Sequence, residues 1–212
     1  MTKVLKKIGI FGGAFDPPHH AHLALAQAAL AELGLDTLHV IPTGQAWHKA
    51  RALSPAKHRL AMTQLAFANM PRVVVDDREI KRAGPTFTID TLQALQAENP
   101  GAQLYLMMGA DQFAAFKQWH QWQAIMQIAI ICIAGRARFD CAGGQFNAQK
   151  QPENRILQLQ MPPMSVSATQ IRQLIAAGLG ENQASADLLP ATVANYIAKY
   201  QLYEASQTTS TD

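Results

Sequence analysis

Apolar positions along the chain fall into short continuous runs separated by stretches with helical spacing. Residues 7–11 (KIGIF) and 37–41 (TLHVI) read as buried strands. Between them, residues 21–33 place Leu23, Leu30 and Leu33 on one helical face, and Gly34 supplies a stop. Ser54-Pro55 has the form of an N-cap followed by proline at the first helical position, and that helix must end before Pro71. Residues 72–75 (RVVV) predict a strand. Thr86 or Thr88 is the candidate cap of a helix that runs through Leu95 and stops near Asn99-Pro100-Gly101. Residues 103–108 (QLYLMM) predict a strand, 113–126 a helix, and 128–133 (IAIICI) and 155–160 two further strands. Ser167-Ala168-Thr169-Gln170 has capping-box spacing, so a helix should start at Ser167, and a last helix spans 190–200. Strand and helix alternate throughout. That order predicts a single α/β domain with a doubly wound, mainly parallel sheet and a small helical part at the C-terminal end.

Composition narrows this picture. The chain has 212 residues, 49% of them hydrophobic, enough to bury a core without staples. The domain is expected over residues 1–204, with 205–212 (ASQTTSTD) as a loose polar tail. Residues 136–154 lack periodicity and read as a long surface loop. The formal charge of +3 suits an anionic small molecule and is too mild for a nucleic-acid binder. No run is long enough for a membrane span, and the apolar stretch that opens the chain stops at Asp16-Pro17-Pro18, unlike a secretory leader. The two cysteines, Cys132 and Cys141, form no CxxC pair, which fits a reducing cytoplasm. Oligomeric state is not legible.

The chemistry concentrates where the first strand ends, at Gly12-Gly13-Ala14-Phe15-Asp16-Pro17-Pro18-His19-His20-Ala21-His22. Two glycines permit a tight turn and close approach of a ligand. Exposed amides there, with the N-terminus of the next helix, would form an anion site. The spacing is neither the dinucleotide fingerprint nor a Walker loop. His19 and His22, three apart, share one face at the positive end of the helix and can meet phosphate oxygens. Zinc would need a third and fourth ligand that no nearby pattern supplies, so no metal site is assigned.

This stretch resembles the GG(T/S)FDP…HxGH signature of nucleotidyltransferases. Val166-Ser167-Ala168-Thr169-Gln170-Ile171-Arg172 resembles the second signature of that superfamily, ISxTxxR. Thr86-Phe87-Thr88-Ile89-Asp90-Thr91-Leu92, Gly109-Ala110-Asp111 with Phe116 and Trp119, and His48-Lys49 are similar to segments of bacterial nicotinate-nucleotide adenylyltransferases, and the resemblance spans essentially the whole chain. It implies adenylyl transfer from ATP to nicotinate mononucleotide in NAD biosynthesis, with Mg²⁺ accompanying ATP. It also implies roles. His19, His22 and Arg172 would be catalytic. Gly12, Gly13, Ala14, Phe15, Asp111, Ser167 and Thr169 would bind ATP. Lys49, Thr88, Trp119 and Arg136 would bind the mononucleotide. Each has a plainer reading: Trp119 as core beside Phe116 and Trp122, Asp111 as a cap, Lys49 and Arg136 as solvated charges.

The sequence departs from the pattern twice. Ala14 stands where Thr or Ser is common, and Ala21 stands for the glycine of HxGH. Other acceptors, nicotinamide mononucleotide or phosphopantetheine, and a non-catalytic nucleotide sensor on the same fold stay open at this level.

Overall fold

A computed structural model describes residues 5–44, 53–134, 155–162, 164–179 and 187–204. Six strands, β1 (Lys7–Gly13), β2 (Thr37–Pro42), β3 (Val73–Val75), β4 (Gln103–Gly109), β5 (Ala129–Ala134) and β6 (Ile156–Leu159), form one sheet in the order β3-β2-β1-β4-β5-β6. Every neighbouring pair is parallel. The helices are α1 (His20–Leu33), α2 (Ala56–Phe67), α3 (Arg78–Lys81), α4 (Thr88–Glu98), α5 (Ala110–Ala114), α6 (Trp122–Ile128), α7 (Ala168–Ala176) and α8 (Ala191–Lys199). The doubly wound architecture is as the sequence predicts.

Because strand side chains alternate, each central strand feeds two cores. Phe11, Leu38, Val40, Tyr105, Met107 and Cys132 face the layer that holds α1, α2, α7 and α8. Ile8, Ile10, Ile41, Leu104, Leu106, Met108, Ile131 and Ile133 face the layer of α4, α5 and α6. Full burial of each such side chain contributes about 1.5–3 kcal/mol. Both layers thus grip the central strands, and the strand ends are held firmly where a ligand would meet them.

Four local readings need correction or addition. Pro55, not Ser54, is the N-cap residue of α2. Neither Thr86 nor Thr88 caps α4; its N-cap is Phe87, which makes no side-chain bond. The helix expected over 113–126 is broken into α5, a 3-10 turn at Phe116–Gln118, and α6, with Gln121 in the left-handed region at φ 52. The break lets Phe113, Phe116 and Ile125 all enter one core, which a straight helix would not allow. The fourth is α3, a single turn too short for periodicity to reveal. The expected loop at 136–154 and tail at 205–212 lie outside the described residues.

Candidate active site

β1 and β4 lie side by side, and the chain leaves them for opposite edges of the sheet. This is the switch point where doubly wound folds open a crevice beyond the strand ends. Gly12 is the last residue but one of β1 and Gly109 the last of β4; a Cβ on either would meet nothing within 4 Å. Both strand ends therefore present bare backbone to the crevice.

The tight turn expected at Gly12-Gly13 lies further on. β1 continues through Gly13, paired with Pro42, and the left-handed residue is Phe15, at φ 47. A bulky residue in that region costs about 1–2 kcal/mol. Packing offsets the cost: the Phe15 ring is buried edge-on against Phe11 (centroids 5.3 Å), Phe67 (6.2 Å) and His22 (5.0 Å). Phe15 is thus an anchor for the loop, a role its place in the motif does not reveal.

His19 is the N-cap residue of α1, in extended conformation, so His19 and His22 bracket the first turn. Their rings stack at 3.7 Å, and the His19 amide donates to His22 Nδ1 at 3.1 Å. His19 is buried, at 7% exposure. Burial, helped by the neighbouring His20, lowers its pKa to about 4, so it is neutral at physiological pH. Its Nδ1 is, among the described residues, the one buried side-chain nitrogen or oxygen without a hydrogen-bond partner. An orphaned polar atom at a helix start beside an open crevice fits a ligand.

The second motif arrives from the far end of the chain. Ser167 caps α7, its Oγ accepting from the Gln170 amide at 3.2 Å, as the capping-box spacing predicts. Arg172, one turn on, donates Nη2–H to Thr169 Oγ1 at 3.1 Å and Nη1–H to the Asp16 carbonyl at 2.7 Å. The two signatures therefore meet, with Arg172 clamping the loop after β1 to the start of α7. Since both hydroxyl oxygens accept within the protein, each keeps its proton for donation.

Beneath that loop lies a buried network that sequence reading missed. Asp16 accepts from Tyr203 Oη at 2.7 Å and from the Ser54 amide at 3.2 Å. Arg59 donates Nε–H to the Ser54 carbonyl (2.9 Å), Nη1–H to the Ala14 carbonyl (3.1 Å) and Nη2–H to the Gly44 carbonyl (3.4 Å). Burial and the Asp16 charge push the Tyr203 hydroxyl well above the usual range, which keeps it a donor. The phosphate-side loop is held from below by an acid, a base and a C-terminal tyrosine. Asp16 lies in the first motif and Tyr203 in the closing segment Leu202-Tyr203, which also resembles the family; Arg59 lies in neither.

The other expected residues are less convergent. Thr88 opens α4, and Asp111, exposed, lies in the first turn of α5 just past β4. Trp119 is half-buried, edge-on to Phe116 at 5.6 Å, so its core reading holds for part of its surface. Lys49 and Arg136, with His48, lie outside the described residues. Among the described residues no three of His, Cys, Asp and Glu gather as a metal site, and no helix is long and apolar enough to cross a membrane.

Comparison with known proteins agrees with this geometry. Residues 10–174 match the cytidylyltransferase-like family model. A protein of Albidiferax ferrireducens, named "Probable nicotinate-nucleotide adenylyltransferase", is 54% identical over 95% of this chain and 100% of its own length. One of the same name from Bordetella petrii is 43% identical over 94% and 100%. The fold is that of the Plasmodium falciparum nicotinic acid mononucleotide adenylyltransferase complexed with NaAD, at a TM-score of 0.72 and 21% identity, covering 93% of this chain and 97% of that one. Motif, fold and full-length similarity coincide, and the chain belongs to the nicotinate-nucleotide adenylyltransferase family.

Proposed function

We propose that this protein transfers the adenylyl group of ATP to nicotinate mononucleotide, yielding nicotinate adenine dinucleotide and pyrophosphate, a step in NAD biosynthesis. The observation that carries this reading is the joining of the stacked His19–His22 pair to the start of α7 through Arg172 and Asp16, in a chain of this family. The solved Plasmodium structures, complexed with NaAD in one case and APC in another, are of the same fold and support small-molecule substrates of this kind.

In the reaction a phosphate oxygen of the mononucleotide bonds to the α-phosphorus of ATP, and the bond from that phosphorus to the pyrophosphate oxygen breaks. No covalent enzyme intermediate is needed, so catalysis consists of positioning and charge stabilisation. The β1 and β4 ends, bare at Gly12 and Gly109, admit the nucleotides. The backbone of Gly13, Ala14 and Phe15 offers amides to phosphate, which does not need the hydroxyl that Ala14 lacks. Neutral His19 donates a hydrogen bond to phosphate rather than a full charge. His22 stands against it and shares the developing charge. Ser167 and Thr169 donate O–H to the leaving phosphates, and Arg172 contributes fixed positive charge. Asp111 receives adenosine hydroxyls.

On the acceptor side, Trp119 lies against the pyridine ring and the amides at Thr88 receive the nicotinate carboxylate. Lys49 and Arg136 are assigned to the acceptor phosphate. Mg²⁺ fits as a passenger of ATP: histidines, hydroxyls and amides are partners for phosphate, and phosphate and water oxygens are the donors Mg²⁺ prefers. When bound it neutralises phosphate charge. The cytoplasmic location expected from the cysteines belongs to the same proposal.

The test is pyrophosphate release with Mg-ATP and, in turn, nicotinate mononucleotide, nicotinamide mononucleotide and phosphopantetheine. Strong preference for the nicotinate form is expected. Preference for another acceptor overturns the acceptor assignment, and no release from folded protein that binds ATP overturns the catalytic one.

A further inference from the structure

Beside the acceptor side lies a second buried acid. Glu79, on α3, is 8% exposed, and its Oε1 accepts from Thr91 Oγ1 at 2.8 Å. The hydroxyls of Thr43 and Thr86 stand 3.3 Å from each other, and both favour the charged form of the same carboxyl against the burial that raises its pKa. Arg82 donates Nη1–H to Thr91 Oγ1 at 3.3 Å, so the Thr91 hydroxyl is oriented with its lone pair toward the guanidinium and its proton toward Glu79.

The three threonines come from three segments. Thr43 follows β2, and its amide donates to the Gly13 carbonyl at 2.8 Å, beside the phosphate loop. Thr86 immediately precedes the N-cap of α4, and Thr91 lies in its first turns. Gly44, next to Thr43, has no room for a side chain, since a Cβ would collide with the Glu79 carbonyl oxygen. α3 itself is fixed by Arg78, which donates to Asp76 at 2.7 Å and through both Nη groups to Glu98 at 3.0 Å. Thr86, the expected cap, makes no bond to the helix amides and meets Thr43 instead. The start of α4 is left without a side-chain cap.

We propose that Glu79 is a positioning residue for the acceptor: by holding Thr91 it fixes the start of α4, where the Thr43 and Thr86 hydroxyls gather, against the end of β2 and so sets affinity for the pyridine nucleotide and not for ATP. This rests on the adenylyl-transfer reading above. A packed apolar side chain would hold these segments at less desolvation cost. A carboxylate that accepts a directed hydroxyl fixes one geometry where an apolar contact would allow several.

The experiment compares Glu79→Ala and Glu79→Gln with wild type, varying nicotinate mononucleotide and Mg-ATP separately and recording thermal unfolding. Glu79→Ala is expected to raise KM for the mononucleotide about tenfold with KM for ATP within about twofold. Glu79→Gln, which keeps the shape and one accepting oxygen, is expected to restore most of the loss. Thr86→Val, which deletes one gathered hydroxyl, is expected to raise the same KM about threefold and serves if the alanine variant does not fold. An unchanged acceptor KM, or both KM values rising together as stability falls, overturns the proposal while leaving the reaction in place. Wild-type protein that takes no nicotinate mononucleotide overturns the functional reading, and this inference with it.

Discussion

The layer that carries α1 and α7 and the layer that carries α4 to α6 present the crevice with different surfaces. On the first, titratable side chains meet directly: His19 on His22, Arg172 on Thr169 and on the Asp16 carbonyl. On the second, charges are tied up among themselves, in buried Glu79 with Thr91 and in the Asp76–Arg78–Glu98 chain, which reaches the surface at Glu98. What faces outward there is a helix start and half-buried Trp119. A polyanion needs donors and charge, and the first layer supplies them. A flat heteroaromatic ring needs a shaped slot, and the second layer supplies scaffolding. The difference teaches that one sheet can hold two unlike substrates by giving each face its own physics.

The largest effects that would break this contrast lie on the first layer. His22→Ala or His19→Ala is expected to cut turnover about 10²–10⁴-fold with little change in the thermal midpoint; wild-type turnover in both would remove the mechanism. Next comes acid. The folded pKa of His19, about 4, lies below its ordinary value of 6.5. Between these values the unfolded chain binds a proton that the folded one refuses. Relative to its value above about pH 6.5, where the shift contributes nothing, stability is therefore lowered as pH falls towards about 4, by about 3 kcal/mol at most. Glu79, raised by burial, acts in the opposite sense, so the check is the difference between wild type and His19→Ala in urea unfolding across that window. The variant should be the flatter.

Tyr203→Phe sharpens the contrast from beneath. It leaves the buried Asp16 oxygen without its donor and is expected to cost about 1–3 kcal/mol of stability. KM for ATP should rise and KM for the mononucleotide should not, since the loop that loosens is the phosphate loop. Smallest is Trp119→Ala: KM for the mononucleotide should rise about tenfold with ATP unaffected, read by steady-state kinetics. Equal loss for both substrates would mean that Trp119 serves only the core.

The same two layers differ in how far the sequence reveals them. His19, His22, Ser167, Thr169 and Arg172 were legible because local geometry ties them: an N-cap and its first turn need particular residues at fixed spacing. Strands β1, β2, β4 and β5 were legible because burial on both faces demands continuous apolar runs. Asp16 with Tyr203, Arg59 with the Gly44 and Ala14 carbonyls, and Glu79 with Thr43 and Thr86 were not. Such partners are far apart along the chain, and no periodicity records a contact made by folding. Thr86 was misread because a threonine before a helix has two uses, capping the helix or meeting a distant hydroxyl such as that of Thr43, and only the folded neighbourhood decides. The turn expected at Gly12-Gly13 was misplaced because the left-handed backbone of Phe15 is stabilised by rings from Phe11, Phe67 and His22.

The bare ends of β1 and β4 carry a consequence of their own. Gly12 and Gly109 have room for a methyl group, and neither has the positive φ that would demand glycine. Alanine at such positions typically stabilises a chain by about 0.4–1 kcal/mol, through fewer unfolded conformations. The molecule forgoes that gain at the two places that, on the proposed function, admit the nucleotides. An optimiser that scored only the folded chain would fill both, produce a hardier protein, and close the door on its substrates.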